Sequence, residues 1–207
     1  GVKMQSIEIR IGARIRRKGM GWVFSQHDLI DIGSRTALDL ALHRMVRKSQ
    51  IRRVIRGIYD APTFSPLLGK VVSPGVHAVA EALARKFGWR IQPDRATAEN
   101  VLGLSSQVSA KTIYLSNGPS RSYRIGATTL RFKRTAVKEA TFRHSQSALI
   151  VQALRSRGQQ HVKQKDIEKI RAWLPARLRR KVLSDTRTAT DWVHAAIKRI
   201  CREELHG

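Results

Sequence analysis

At 207 residues, 42% of them hydrophobic, the chain can hold two to three small cored domains and is too apolar to be a disordered tail. Forty Lys and Arg against fifteen Asp and Glu give a net charge of +25, a self-repulsion that is normally kept because a polyanion neutralises it, and nucleic acid is the usual one. No run approaches the roughly 20 apolar residues of a membrane span, no secretory leader or lipid anchor is read, and the lone Cys201 excludes an internal disulfide, so no membrane partner and a cytoplasmic setting are expected.

Residues 6–18 are predicted helical, because Ile7, Ile11 and Ile15 recur on one face while Arg10, Arg14, Arg16 and Arg17 fall mostly on others. Gly19 and Gly21 stop this helix. Trp22-Val-Phe24 is either a brief strand or a packing staple. Ser25 reads as an N-cap with Asp28 in the capping-box position. The helix it opens carries Leu29, Ile30 and Ile32 and ends at Gly33 after about two turns. Ser34 caps a longer helix with Ala37, Leu38, Ala41, Leu42, Met45 and Val46 on one stripe. The segment from Ile51 to Tyr59 is rich in strand formers and broken by Gly57, which predicts a small basic hairpin closed by Asp60-Ala-Pro62.

Pro62, Pro66, Gly69, Pro74 and Gly75 mark residues 62–75 as a linker. A second domain is expected from Val76. It opens with a helix through Val79, Ala80, Leu83, Ala84 and Phe87, then a short strand at Arg90–Pro93 and a short helix at Thr97–Leu102. Three strands follow, at Lys111–Ser116, Ser122–Ile125 and Thr129–Lys133, with turns at Asn117-Gly118-Pro119 and Gly126. The last third is helical over Gln146–Arg157, Lys163–Leu174, Ala176–Leu183 and Asp191–Leu205. The expected division is therefore 1–61, a linker over 62–75, 76–143 with a small antiparallel sheet, and a basic helical region over 144–207. The expected class is α+β. The charge is even along the chain, at +8 for residues 1–60, +9 for 61–143 and +8 for 144–207.

The order helix, short helix, glycine turn, longer helix, basic hairpin is the layout of a winged helix-turn-helix. Its second helix must present its first turn to base edges in the major groove. Here that turn is Ser34-Arg35-Thr36, and an arginine can pair two donors with guanine O6 and N7. The wing would carry Arg52, Arg53 and Arg56 to phosphates or the minor groove. Arg44, Arg47 and Lys48 lie further along the helix and would touch backbone. Ser25 and Gln26, which open the shorter helix, complete the expected set of DNA contacts.

Other chemistry is thin. The seven histidines are scattered, and His27 beside Asp28 matches no metal spacing. Glu139 and His144 could form an acid–base pair, but no third group supports them. A metal-dependent nuclease needs clustered carboxylates, and the fifteen acids do not cluster. No catalytic, cofactor-binding or metal-binding residue is expected, and no enzyme. The four tryptophans read as core.

Three stretches carry a resemblance: Trp22-Val-Phe-Ser-Gln-His-Asp28, Gly33-Ser-Arg-Thr-Ala-Leu-Asp39 and the segment Ile51–Pro62. It continues through Ala96–Leu104 and Lys111–Gly118 and covers residues 6 to 134. In these the chain resembles the AbiEi-like antitoxins of type IV toxin–antitoxin pairs, a group that includes bacterial proteins called DUF6088. The resemblance implies a cytoplasmic antitoxin of a phage-defence pair that represses its own promoter by binding repeated operator DNA, with the later part neutralising a toxin. In AbiE-type pairs the toxin is a nucleotidyltransferase and need not form a stable complex with its antitoxin. Ser34, Arg35, Thr36, Arg52, Arg53 and Arg56 match the recognition turn and wing. The even charge keeps a second reading open, a DNA- or RNA-binding protein without sequence preference acting directly in defence. Toxin, operator and oligomeric state stay open.

Overall fold

The computed structural model describes residues 5–107, 109–136 and 142–202, and the chain is α+β, as the residue pattern predicts. Two compact units form: residues 1–89 with 122–130, and residues 90–121 with 131–207.

In the first unit, α1 (Ile7–Lys18) starts at Ser6, whose hydroxyl accepts from the Ile9 N–H, and ends in Arg16, Arg17 and Lys18, which suit the negative end of the helix dipole. β1 (Val23–Phe24) settles Trp22–Phe24 as a strand, and the ring of Phe24 stacks between Trp22 and Tyr59 at 4.7 and 6.0 Å. The expected two-turn helix after Ser25 is shorter. Only a 3-10 turn forms over Gln26–Leu29, followed by turns up to Gly33. Arg14 of α1 donates to the Asp28 carbonyl at 2.9 Å, which a longer helix would pair with the Ile32 N–H, and that N–H goes to the Leu29 carbonyl at 2.8 Å instead. Arg10 donates to the Ile32 carbonyl at 2.8 Å, past the turn. Ile32 is buried while Ile30 is 67% exposed, so one apolar residue of the predicted stripe faces water.

Arg14 also pairs with Asp31 through a 2.6 Å hydrogen bond, and this bond lowers the Asp31 carboxyl to about 2. Its folded-state pKa lies below the unfolded value of about 3.9, so the pair's contribution is fully present above that pH and is lost as pH falls toward 2. Asp31 faces water, so the effect is small and screened by salt. In thermal melts, Asp31→Asn is expected to lower Tm at pH 5, and the gap from the parent chain should close near pH 2.

α2 (Arg35–Arg47) buries Leu38, Ala41, Leu42 and Met45 against Ile11, Phe24, Leu29, Ile32 and Ile51. β2 (Arg52–Ile55) and β3 (Ile58–Asp60) complete a three-stranded sheet of order β1-β3-β2. Ile55 pairs with Ile58 across the turn, but Arg53 pairs with Tyr59 and Arg52 with Asp60, so the register slips between Arg53 and Ile55.

Residues 62–75 are not bare linker. β4 (Phe64–Ser65) and β5 (Lys70–Val71) form a two-stranded hairpin, closed by the Val72 N–H on the Thr63 carbonyl at 2.7 Å. Nor do the compact units divide at Val76. α3 (Val76–Phe87) packs on β1, β3 and the 3-10 turn, with Val79, Ala80, Leu83 and Ala84 buried. Arg85 fastens it, donating to the Asp28 carboxylate and to the Val23 carbonyl, each at 2.8 Å.

The second unit opens with β6 (Ile91–Pro93) and α4 (Arg95–Val101), whose cap Asp94 accepts from the Thr97 N–H at 2.8 Å. β7 (Lys111–Ser116), β8 (Arg121–Ile125) and β9 (Thr128–Arg134) give with β6 a sheet of order β6-β7-β9-β8, of which residues 122–130 are counted with the first unit. The helical part holds α5 (Ser145–Arg157), α6 (Gln164–Trp173), α7 (Ala176–Asp185) and α8 (Asp191–Cys201). Leu149, Leu154, Ile167, Ile170, Val193 and Ile200 form one core with Ala98 of α4 and Leu102 just after it, and Trp173 and Trp192 pack against it. The buried Asp166 lies in the first turn of α6. Burial opposes its ionisation, but the Lys163 N–H and the Arg157 guanidinium more than offset this and hold it below the usual carboxylate range. The tail of the predicted last helix, from 203 to 205, and Glu139 of the candidate acid–base pair lie outside the described residues. Among the described residues no helix is long and apolar enough to cross a membrane.

Candidate nucleic-acid interface

The buried stripe of α2 decides what its outer face presents. With Leu38, Ala41, Leu42 and Met45 turned inward, Ser34, Arg35, Thr36, Arg44 and Arg47 are all exposed. The Ser34 hydroxyl is spent on the cap, accepting from the Ala37 N–H at 3.2 Å. Arg35 and Thr36 are therefore the free side chains of the first turn. The Gln26 amide donates to the carboxylate of Asp39, which ties the 3-10 turn to the outside of α2.

The six wing and turn positions do not stay together. Arg53 and Arg56 are exposed. Arg52 instead faces inward and makes a two-pronged pair with Asp60, Nε to Oδ1 at 2.9 Å and Nη2 to Oδ2 at 2.7 Å. Nη2 also donates to the Val72 carbonyl at 3.1 Å. Arg52 was expected on the outer surface of the wing, and the pair with Asp60 removes it from that set. Successive residues of a strand point to opposite faces, so Arg52 and Arg53 cannot both face outward. Ser25 is corrected for a simpler reason: it is 1% exposed, and its backbone N–H donates to the Asp28 carboxylate at 3.0 Å. Lys48 is exposed, with its ammonium 2.9 Å from Glu8.

The acids show how the even charge of the sequence becomes uneven in space. Within residues 5–89 five carboxylates face a basic side chain: Glu8 meets Lys48, Asp28 meets Arg85, Asp31 meets Arg14, Asp60 meets Arg52 and Glu81 meets His77. The sixth, Asp39, accepts from the neutral Gln26 amide and keeps its charge on the outer face of α2. Among the described residues no carboxylate forms an ion pair with Arg35, Arg44, Arg47, Arg53 or Arg56, so cations outnumber acids on the outer face of α2 and at the β2–β3 turn.

One cation of this surface was not anticipated. Lys86, in the last turn of α3, reaches the β2–β3 turn, where its ammonium takes the space that a side chain on Gly57 would fill. Burial, and then the charges of Arg56 and Arg35, lower the pKa of its ammonium below the ordinary lysine value. The residue type gave a signal, but α3 reads in sequence as the start of another domain.

Gly57 itself has φ +76°, a left-handed conformation that costs a non-glycine residue about 1–2 kcal/mol. Gly57→Ala is expected to lower stability by about 1 kcal/mol, since the Lys86 ammonium is the end of a flexible chain and can move aside. A urea titration measures it, and a variant as stable as the parent would refute the strain.

Among the described residues no group of three or more His, Cys, Asp or Glu could hold a metal ion. The site is thus defined by free arginines and a lysine on an α+β chain. The model described as "Family of unknown function (DUF6088)" matches residues 10–182, and the chain belongs to that family. No curated protein and no solved structure matches it.

Proposed function

We propose that the chain is a cytoplasmic DNA-binding protein whose residues from α1 to β3 form a winged helix-turn-helix, and that it is an antitoxin repressing the promoter of its own toxin–antitoxin pair. The observation that carries the DNA reading is the sorting of charge. Arg35 and Thr36 are exposed in the first turn of α2, Arg53 and Arg56 are exposed on the neighbouring hairpin, no carboxylate among the described residues is ion-paired with these arginines, and of the acids of the same unit only Asp39 stands on this face without a cation. In this arrangement α2 lies in the major groove, Arg35 reads a base edge, and Arg53, Arg56, Arg44 and Arg47 meet phosphates. The antitoxin role rests on the resemblance of Trp22–Asp28, Gly33–Asp39 and Ile51–Pro62 to the AbiEi-like group. The toxin is then a second protein, neutralised with or without a stable complex.

DNase footprinting upstream of the chain's own gene tests the proposal. Protection of a repeated sequence is expected, and protection no better than on random DNA overturns it. Arg53→Ala is expected to weaken binding to all duplexes alike and to flatten the dependence of log K on log salt by about one unit. A specific observation favours the second reading, nucleic-acid binding without sequence preference. In the second unit Arg177, Arg180, Lys181 and Arg187 are exposed on and after α7. Affinities for operator and scrambled duplexes within about tenfold of each other would select that reading.

A further inference from the structure

Lys86 belongs to none of the elements assigned to the DNA grip, yet its ammonium is carried to them. α3 packs on β1 and β3, and the lysine side chain passes its own neighbour, with Nζ 5.1 Å from the centre of the Phe87 ring. It ends against Gly57, the residue after Arg56, where only the missing side chain leaves room for it. Lys86 from the last turn of α3 thus ends beside the residue that follows Arg56 in the β2–β3 turn, and the charges of Arg56 and of Arg35, from the first turn of α2, both act against its ammonium. Among the described residues no carboxylate is paired with any of the three. Like charges that act on one another, with one of them partly buried, oppose one another in the free protein. An anion between them reverses the sign of each interaction.

We infer that Lys86 and Arg56 clasp one backbone phosphate of duplex DNA, directly beside the turn where Arg35 reads bases. The inference rests on the winged-helix reading and extends the grip to α3. A phosphate diester suits the place: it carries one negative charge and two free oxygens, one for each donor. It also gives Gly57 a second use. A side chain there would displace the ammonium from the turn.

The test measures the salt dependence of binding by the full chain to a short mixed-sequence duplex, by fluorescence anisotropy from about 50 to 200 mM salt. Lys86→Met keeps an unbranched side chain of similar length and removes the charge. Combined with Arg56→Ala it removes both donors to that phosphate and is expected to flatten the slope by about 0.9, the loss of one phosphate contact, while Lys86→Met alone flattens it by a part of that. Lys86→Arg is expected to restore the slope. If Lys86→Met leaves the slope unchanged while Arg53→Ala flattens it, the phosphate clasp is wrong and the winged-helix reading stands. If neither substitution changes the slope, or the parent chain does not bind duplex DNA, both fail. If Lys86→Met flattens the slope on duplex RNA but not on duplex DNA, the ligand class is wrong.

Discussion

Replacing Asp60 by alanine is expected to destabilise the first unit by about 3 kcal/mol, because it leaves the inward-facing Arg52 guanidinium without the carboxylate that it was folded around. The side chain of Asp60 is 6% exposed and that of Arg52 30%, so the orphaned cation recovers some hydration and the cost stays at the low end of the range for a broken buried pair. A loss of this size moves the urea midpoint by roughly 1–3 M. The paired substitution Arg52→Met with Asp60→Leu removes both charges at once and is expected to regain most of that stability. If the double variant is as unstable as Asp60→Ala, the pair is not what the single change breaks. DNA binding supplies a separate readout. Arg52→Met with Asp60→Leu should keep the salt slope of the parent, since Arg52 is turned away from the outer surface.

Arg35→Ala is expected to cost one preferred sequence about 1–3 kcal/mol, roughly a tenfold to hundredfold loss of affinity, with a much smaller effect on scrambled duplexes. The argument is one of position. Arg35 is the first residue of α2, exposed, and unpaired with any carboxylate among the described residues. The turn before it is fixed by the Ser34 cap, which aims the side chain out of the end of the helix. Selection of bound sequences from a random pool reads the outcome directly. An Arg35→Ala pool as strongly enriched as the parent pool, at the same positions, would remove Arg35 from base reading.

The helices are legible in the sequence because their signals are local. Ser34 followed by a 3.6-residue apolar period marks both the start and the buried face of α2, and Pro175 marks the end of α6. The 3-10 turn after Ser25 was not legible. Arg14, fourteen residues before Asp28, takes the carbonyl of Asp28 that a longer helix would use. The β4–β5 hairpin was hidden by composition, since the prolines and glycines that close a tight hairpin are also those of a linker. α3 could be recognised as a helix but not assigned to a unit, because periodicity shows which face is buried and not what covers it. Within the site, Arg35 and Thr36 were placed correctly on exposed helix, while Arg52 and Arg53 could not be separated. A two-residue turn at Arg56-Gly57 in regular register would set Arg52 opposite Ala61. The one-residue slip in β2 sets it opposite Asp60 instead, and that slip leaves no mark in the residue types.

The occupied carboxylates of the first unit also bear on how the protein can change over generations. The arginines that hold no carboxylate among the described residues can be exchanged singly with little effect on folding, since the fold does not lean on them. An ion-paired acid of the same unit is different, because losing it weakens the fold and adds positive charge together. If the chain binds DNA as proposed, its binding strength is adjustable in small steps at nearly constant stability, and drift at those arginines is the inexpensive route for a lineage to retune its grip.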